Sequence, residues 1–104
     1  MSFEDMLPDE AKKKFETSKH HYIWLDVRTK AEYEKGHIPG SKLIPMDDLE
    51  EHLQELGPKD QAYIVYCHSG GRSKAACSFL SEQGYNHLYN LSGGISDWNG
   101  PIEK

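Results

Sequence analysis

The chain has 104 residues, a length that suits one compact domain spanning 1–104. It is 37% hydrophobic and 28% charged with a net charge of −5, which places it among soluble globular proteins and argues against nucleic acid or an anionic membrane surface as a partner. Two cysteines without metal-ligand spacing or a disulfide framework, no apolar run of membrane-spanning length and no signal-like start at Met1-Ser2-Phe3-Glu4-Asp5 lead to the expectation of a cytoplasmic protein with no metal and no cofactor.

Pro8 to Glu16 reads as a helix, since proline suits a first turn and the acidic-then-basic charge order fits the macrodipole. Tyr22-Ile23-Trp24-Leu25 is a nearly continuous apolar run ending in Asp26-Val27-Arg28, the signature of a strand buried on both faces. Asp26 stands at its carboxyl end, where it either faces a pocket or accepts loop N–H groups; the structural role is expected. Arg28 and Glu32 are expected to pair at i,i+4 spacing. A short helix over 30–35 ends at Gly36, and His37 to Ser41 is a turn in which His37 packs. Lys42 to Pro45 is a short strand. Asp47 and Glu50 have capping-box spacing ahead of Leu49, Leu53 and Leu56, which predicts a helix stopped by Gly57-Pro58.

Ala62 to Tyr66 is a second apolar strand, and it runs directly into Cys67-His68-Ser69-Gly70-Gly71-Arg72-Ser73. Gly70 and Gly71 can adopt φ > 0 freely, so the chain can curl around the cysteine with its N–H groups inward. A helix from about Ser73 to Gln83, with Ser73 as N-cap, adds the positive end of its dipole behind that curl. These features favour thiolate over thiol, so Cys67 is expected to be a nucleophile of lowered pKa. The reading requires the loop amides to face the sulfur and the sulfur to be reachable from solvent. Cys77 lies in the apolar stripe of the following helix with Ala76, Phe79 and Leu80, and reads as a core residue. Gly84 ends that helix, Tyr85 to Leu91 is a last strand, and Ser92-Gly93-Gly94 turns into a short helix from Ile95 to Trp98. Alternation of strands and helices predicts an α/β fold with an open parallel sheet of four to five strands and helices on both faces.

Four residues separate Cys67 from Arg72. Cysteine-dependent phosphatases have one more, which makes room for a tetrahedral phosphate; the tighter Cys-x4-Arg loop suits a single extra sulfur atom. This loop resembles that of the rhodaneses, whose cysteine becomes a persulfide. Leu25-Asp26-Val27-Arg28 with Glu32-Tyr33 and Gly36-His37-Ile38-Pro39-Gly40-Ser41 resembles the family's amino-terminal signature, and Leu91-Ser92-Gly93-Gly94-Ile95 with Trp98 its carboxyl-terminal one.

The resemblance implies the rhodanese-like fold and a sulfurtransferase. Cys67 is then catalytic, taking sulfane sulfur from thiosulfate or a similar donor and passing it to cyanide or a thiol, such as glutathione, thioredoxin or an acceptor protein. His68, Ser69, Gly70, Gly71, Arg72 and Ser73 are the candidate substrate-binding residues, with Arg72 either receiving the donor's anionic group or fastening the loop. Asp26, Arg28 and Trp98 are further candidates for the pocket, with packing the expected role of Trp98. Two alternatives stand beside this: a non-enzymatic rhodanese-like module that carries sulfur or binds a partner, and a phosphatase or arsenate reductase, which the loop spacing disfavours.

Overall fold

The two apolar runs identified above lie side by side as parallel strands. The computed structural model describes residues 3–104, with β1 at Glu4–Met6, α1 at Pro8–Ser18, β2 at Tyr22–Asp26, α2 at Lys30–Lys35, β3 at Lys42–Leu43, β4 at Ala62–Tyr66, α3 at Gly71–Glu82 and β5 at His87–Leu91. Strands β2 and β4 pair from Tyr22↔Ala62 to Asp26↔Tyr66, and the five-stranded sheet is parallel throughout in the order β1-β5-β4-β2-β3. β4 is therefore central, and the loop that follows it opens at the carboxyl edge of the sheet, where open α/β sheets bind ligands.

The period-two alternation of strand side chains divides the core. Trp24, Ile64, Tyr66 and Leu91 point to one face, where they meet Ala11 and Phe15 of α1 and Trp98. Leu25, Tyr63, Val65 and Leu88 point to the other and meet Ala76, Cys77 and Leu80 of α3. Phe15, Trp24 and Trp98 pack edge-to-face with centroids 5.5–5.8 Å apart. Both faces are covered, which explains why β2 and β4 read as apolar runs rather than as alternating strands. No helix among the described residues is long and apolar enough to cross a membrane.

Several local expectations need correction. β1 carries no strand signal in its three residues; it is held by pairing with β5, from Glu4↔Tyr89 to Met6↔Leu91. The segment after Pro45 forms 3₁₀ turns at Met46–Asp48 and Glu50–Glu55 instead of an α-helix, and no side chain caps either. The capping box is at Thr29, whose side chain accepts the Glu32 N–H while Glu32 accepts the Thr29 N–H. Helix α3 starts at Gly71, so Ser73 is inside its first turn and Gly70 occupies the N-cap position.

Arg28 does not pair with Glu32. Its side chain lies back on Asp26, with Nη2 2.7 Å from Oδ2 and Nε 3.0 Å from Oδ1, and Nη2 also donates to the Gly36 carbonyl at 2.7 Å. Asp26 is 0% and Arg28 5% exposed, and the pair ties the end of β2 to the end of α2. Burial works against the Arg28 charge, and the Asp26 carboxylate more than offsets it. Breaking such a pair strands a cation away from water. Asp26→Ala is expected to lower the unfolding free energy in urea by about 3 kcal/mol, the lower end for a buried pair; a loss within ~0.5 kcal/mol, as at an ordinary surface site, would show that Arg28 is hydrated without its partner.

Candidate functional site

Cys67 is the first residue past β4, and its sulfur is met by the chain that curls over it. Gly70 N–H donates to Sγ at 3.1 Å and Ser73 N–H at 3.4 Å, with Ser73 Oγ also 3.4 Å away. The curl depends on Gly70, at φ +106°, a conformation that costs glycine nothing. Gly71 needs no such freedom: it opens α3 in ordinary helical geometry, with open space where a Cβ would stand. From outside, the turn at Gly94–Asp97 presses on the loop, as Ile95 N–H donates to the Cys67 carbonyl at 2.9 Å and Ser96 N–H to the His68 carbonyl at 3.0 Å.

Two opposed effects set the charge on the sulfur. Burial disfavours the thiolate, while hydrogen bonds from the Ser73 hydroxyl and the Ser73, Gly70 and Ser69 amides favour it; together they leave the Cys67 pKa below that of an ordinary thiol. Cys77 has no such donors, and burial pushes its thiol up to about 12. It packs in the core with Ala76 and Leu80.

Of the two conditions set by the sequence, the one on the amides is met and the one on access is not: Cys67 is 1% exposed, closed off from solvent by the loop that curls over it. An open cleft of about 440 Å³ lies beside it, lined by Arg28, Glu32, Lys35, His68, Ile95 and Ile102 among others. The cleft stops at His68, and Cys67 does not line it. Of the three further pocket candidates, only Arg28 reaches this cleft: Asp26 is interior and bonded to Arg28, and Trp98 is packed against Phe15 and Trp24 with its Nε1 donating to the Pro101 carbonyl at 2.9 Å.

Arg72 points to Glu32, not to the sulfur. Its Nη1 and Nη2 each lie 2.9 Å from a Glu32 carboxylate oxygen, a bidentate clasp between α3 and α2. Of the two roles open to Arg72, the geometry is that of a loop fastener. His37 stacks on Tyr33 with ring centroids 3.7 Å apart and donates from Nδ1 to the Tyr33 carbonyl at 2.9 Å, as expected of a packing histidine. The sequence reading missed Asn90, whose amide contacts the Ser73 hydroxyl, and the strap at His37 and Glu103, whose backbones exchange two hydrogen bonds of 2.8 Å. A polar residue in the otherwise apolar end of β5 was the available signal for Asn90.

Comparison with known proteins gives the family. Residues 7–101 match the family described as Rhodanese-like domain. The chain belongs to this family. It is 43% identical over 76 residues, 73% of this chain and 70% of the other, to a sulfurtransferase of Allochromatium vinosum. It is 44% identical over 79 residues to the putative sulfur carrier protein YrkF of Bacillus subtilis, covering 76% of this chain but only 42% of that relative. The crystal structure of a rhodanese-like domain protein from Staphylococcus aureus superposes with a TM-score of 0.86 at 34% identity, covering 99% of this chain and 97% of that one. In this rhodanese-like domain the Cys-x4-Arg loop thus occupies the carboxyl end of the central strand, with its amides turned to the sulfur.

Two measurements probe the loop. The Arg72 clasp, followed by the Thr29 amide, holds the Glu32 carboxyl down at about 2 from an ordinary 4.5. The stability so gained is present above the ordinary value and is lost as pH falls towards about 2. The pair is largely exposed, so Arg72→Ala is expected to cost about 0.2–1 kcal/mol at neutral pH, with the gap to wild type closing between pH 4.5 and about 2. A gap that stays constant through acid would place the effect of Arg72 elsewhere. For Cys67, the iodoacetamide rate is expected to rise with pH at a midpoint below that of a small free thiol, while burial keeps the plateau rate lower than the thiolate fraction alone would give. A midpoint equal to that of the free thiol would mean that the amides do not act on the sulfur.

Proposed function

We propose that this rhodanese-like domain is a sulfurtransferase that carries sulfane sulfur on Cys67. The observation that supports it most is the convergence of the Gly70 and Ser73 N–H groups on Cys67 Sγ within a Cys-x4-Arg loop. Thiolate is the form that attacks, and donors already aimed at negative sulfur stabilise it without reorganisation.

In the first step the Cys67 thiolate attacks the outer sulfur of thiosulfate or a similar donor. A Cys67–sulfur bond forms, the donor's sulfur–sulfur bond breaks, and sulfite departs with the electron pair. The leaving group is a stable anion, so no strong general acid is needed, and the persulfide left on Cys67 carries one negative charge. In the second step an acceptor thiolate, or cyanide, attacks the terminal sulfur and releases the Cys67 thiolate. His68, on the cleft wall one residue from the nucleophile, is positioned to meet the donor or acceptor. The acceptor in this reading is a small thiol or the thiol of a protein, and two unpaired cysteines suit a reducing, cytoplasmic setting.

The depth of the sulfur favours a second reading. A nucleophile 1% exposed is reached only when the loop or the cleft wall opens, and such opening limits turnover with small molecules. A domain that takes up sulfur slowly and yields it to one docked protein would use the same loop, and the Bacillus relative is named a putative sulfur carrier protein. Intact mass before and after thiosulfate tests the first step. Wild type is expected to gain one sulfur atom, removable by cyanide, and Cys67→Ser to gain none; a wild-type protein that gains no sulfur, or a serine variant that does, would refute the scheme. Many turnovers with small thiols support the enzyme, whereas a stable persulfide with slow turnover supports the carrier.

A further inference from the structure

The Ser73 hydroxyl has more acceptors around it than protons to give. Ser73 is fully buried in the first turn of α3, and Asn90, on β5, is 2% exposed. Ser73 Oγ lies 3.4 Å from Cys67 Sγ and 3.2 Å from the Gly70 carbonyl oxygen, and it donates to Asn90 Oδ1. Asn90 Nδ2 in turn donates to Asp5 Oδ1 at 3.0 Å, and Lys74 Nζ stands 3.9 Å from Asp5 Oδ2.

The direction of this chain follows from its outer end. An ionised Asp5 carboxylate only accepts, so the Asn90 amide must meet it nitrogen first, which leaves the amide oxygen facing Ser73. While Cys67 is a thiol, every group is satisfied: S–H gives to Ser73, Ser73 to Asn90 and Asn90 to Asp5. When Cys67 loses its proton, the sulfur becomes an acceptor, and the one Ser73 proton is claimed by two partners. Gly70 O is a weaker rival, because it already accepts the Lys74 N–H at 3.2 Å.

We propose that Asn90, oriented by Asp5, is a positioning residue that holds the Ser73 proton away from the Cys67 sulfur and so limits how far the thiolate is stabilised. The chemical sense is that nucleophilicity falls as thiol pKa falls, so a thiolate carried by the amides alone attacks faster than one also bonded to a hydroxyl. The inference rests on Cys67 as the reacting group, but its readout is protonation, not sulfur transfer. The charged groups around the network are Asp5 on β1 and Lys74 on α3; farther out, Arg72 is held by Glu32 and Asp26 by Arg28. The Cys77 thiol, at about 12, stays protonated through the range titrated.

The test is a thiolate absorbance titration of Cys67, with the Cys67→Ser protein subtracted, in wild type, Asn90→Leu and Asp5→Asn. Asn90→Leu removes the competing acceptor without changing charge. Asp5→Asn, at a half-exposed edge position, lets the Asn90 amide turn its nitrogen to Ser73. Both midpoints are expected to fall by about one pH unit, the size of one hydrogen bond to a charged group. The Asp5→Asn shift is expected to persist at about 1 M salt, where charges at the surface are screened beyond about 3 Å. Midpoints equal to or above wild type overturn the proposal, as does an Asp5→Asn shift that salt abolishes. If Asn90→Leu does not fold, Asp5→Asn in high salt decides alone. A lower melting temperature with an unmoved midpoint means that Asn90 only packs, and also overturns it. The wild-type midpoint by itself bears on the sulfur-transfer reading; the differences between proteins bear on this one.

Discussion

The reversal of the backbone at Gly70 decides the chemistry of Cys67. At φ +106° the chain turns sharply enough for the Gly70 and Ser73 amides to face a sulfur three and six positions back. The constraint there is torsional, since the nearest atom to an added Cβ would be the Gly93 nitrogen at 3.4 Å, close to ordinary contact. Gly94 is constrained in a different way. A Cβ on it would stand 2.4 Å from the His68 carbonyl oxygen, so only glycine lets the following turn lie against the loop. That turn uses the Ile95 and Ser96 amides to bind the Cys67 and His68 carbonyls. Loop carbonyls are drawn outward and loop amides are left inside, and the separation of the two gives the cradle its positive interior.

Two arginines fix the frame around this loop, each by a partner that local spacing does not indicate. Arg28 folds back to Asp26 because the capping box excludes it from α2: Thr29, not Arg28, is the N-cap, and the i,i+4 geometry with Glu32 never forms. Glu32 is then left facing the loop, where it takes Arg72 through both oxygens while still accepting the Thr29 amide. The result is a chain of contacts from β2 through α2 to α3. It ties the first turn of α3 to an element 40 residues earlier. An arginine so held lends its charge to the loop's surroundings while its fork is occupied, which separates this loop from one in which arginine directly grips the substrate.

The sequence was legible where a rule acts locally or where burial is uniform. The runs Tyr22–Asp26 and Ala62–Tyr66 read as buried parallel strands because both faces are apolar, and the cysteine loop was conspicuous because its glycines and arginine follow such a run directly. The misreadings come from long-range contacts. β1 has no strand signal and exists because β5 offers an edge. Ser73 looks like an N-cap from its position, but its amide turns to the sulfur and its hydroxyl donates to Asn90, while Gly70 takes the N-cap place and the helix begins two residues sooner. Trp98, by contrast, packs as expected although it stands next to a signature motif, because Phe15 and Trp24 offer its ring an apolar cluster. Asp47-x-x-Glu50 satisfies the capping pattern, yet the segment stays in 3₁₀ turns, with His52 in a non-helical conformation.

Burial of Cys67 and the amides around it are best understood together. Desolvation alone would raise a thiol's pKa, as it does at Cys77, where no donor faces the sulfur. At Cys67 the same exclusion of water makes each fixed N–H count for more, because the charge–dipole attraction is not divided by the dielectric of solvent. This also explains how a chain of net charge −5 can accommodate an anion at its centre: surface carboxylates are screened over about 8–10 Å of salt solution, whereas the loop dipoles act at 3.1–3.4 Å.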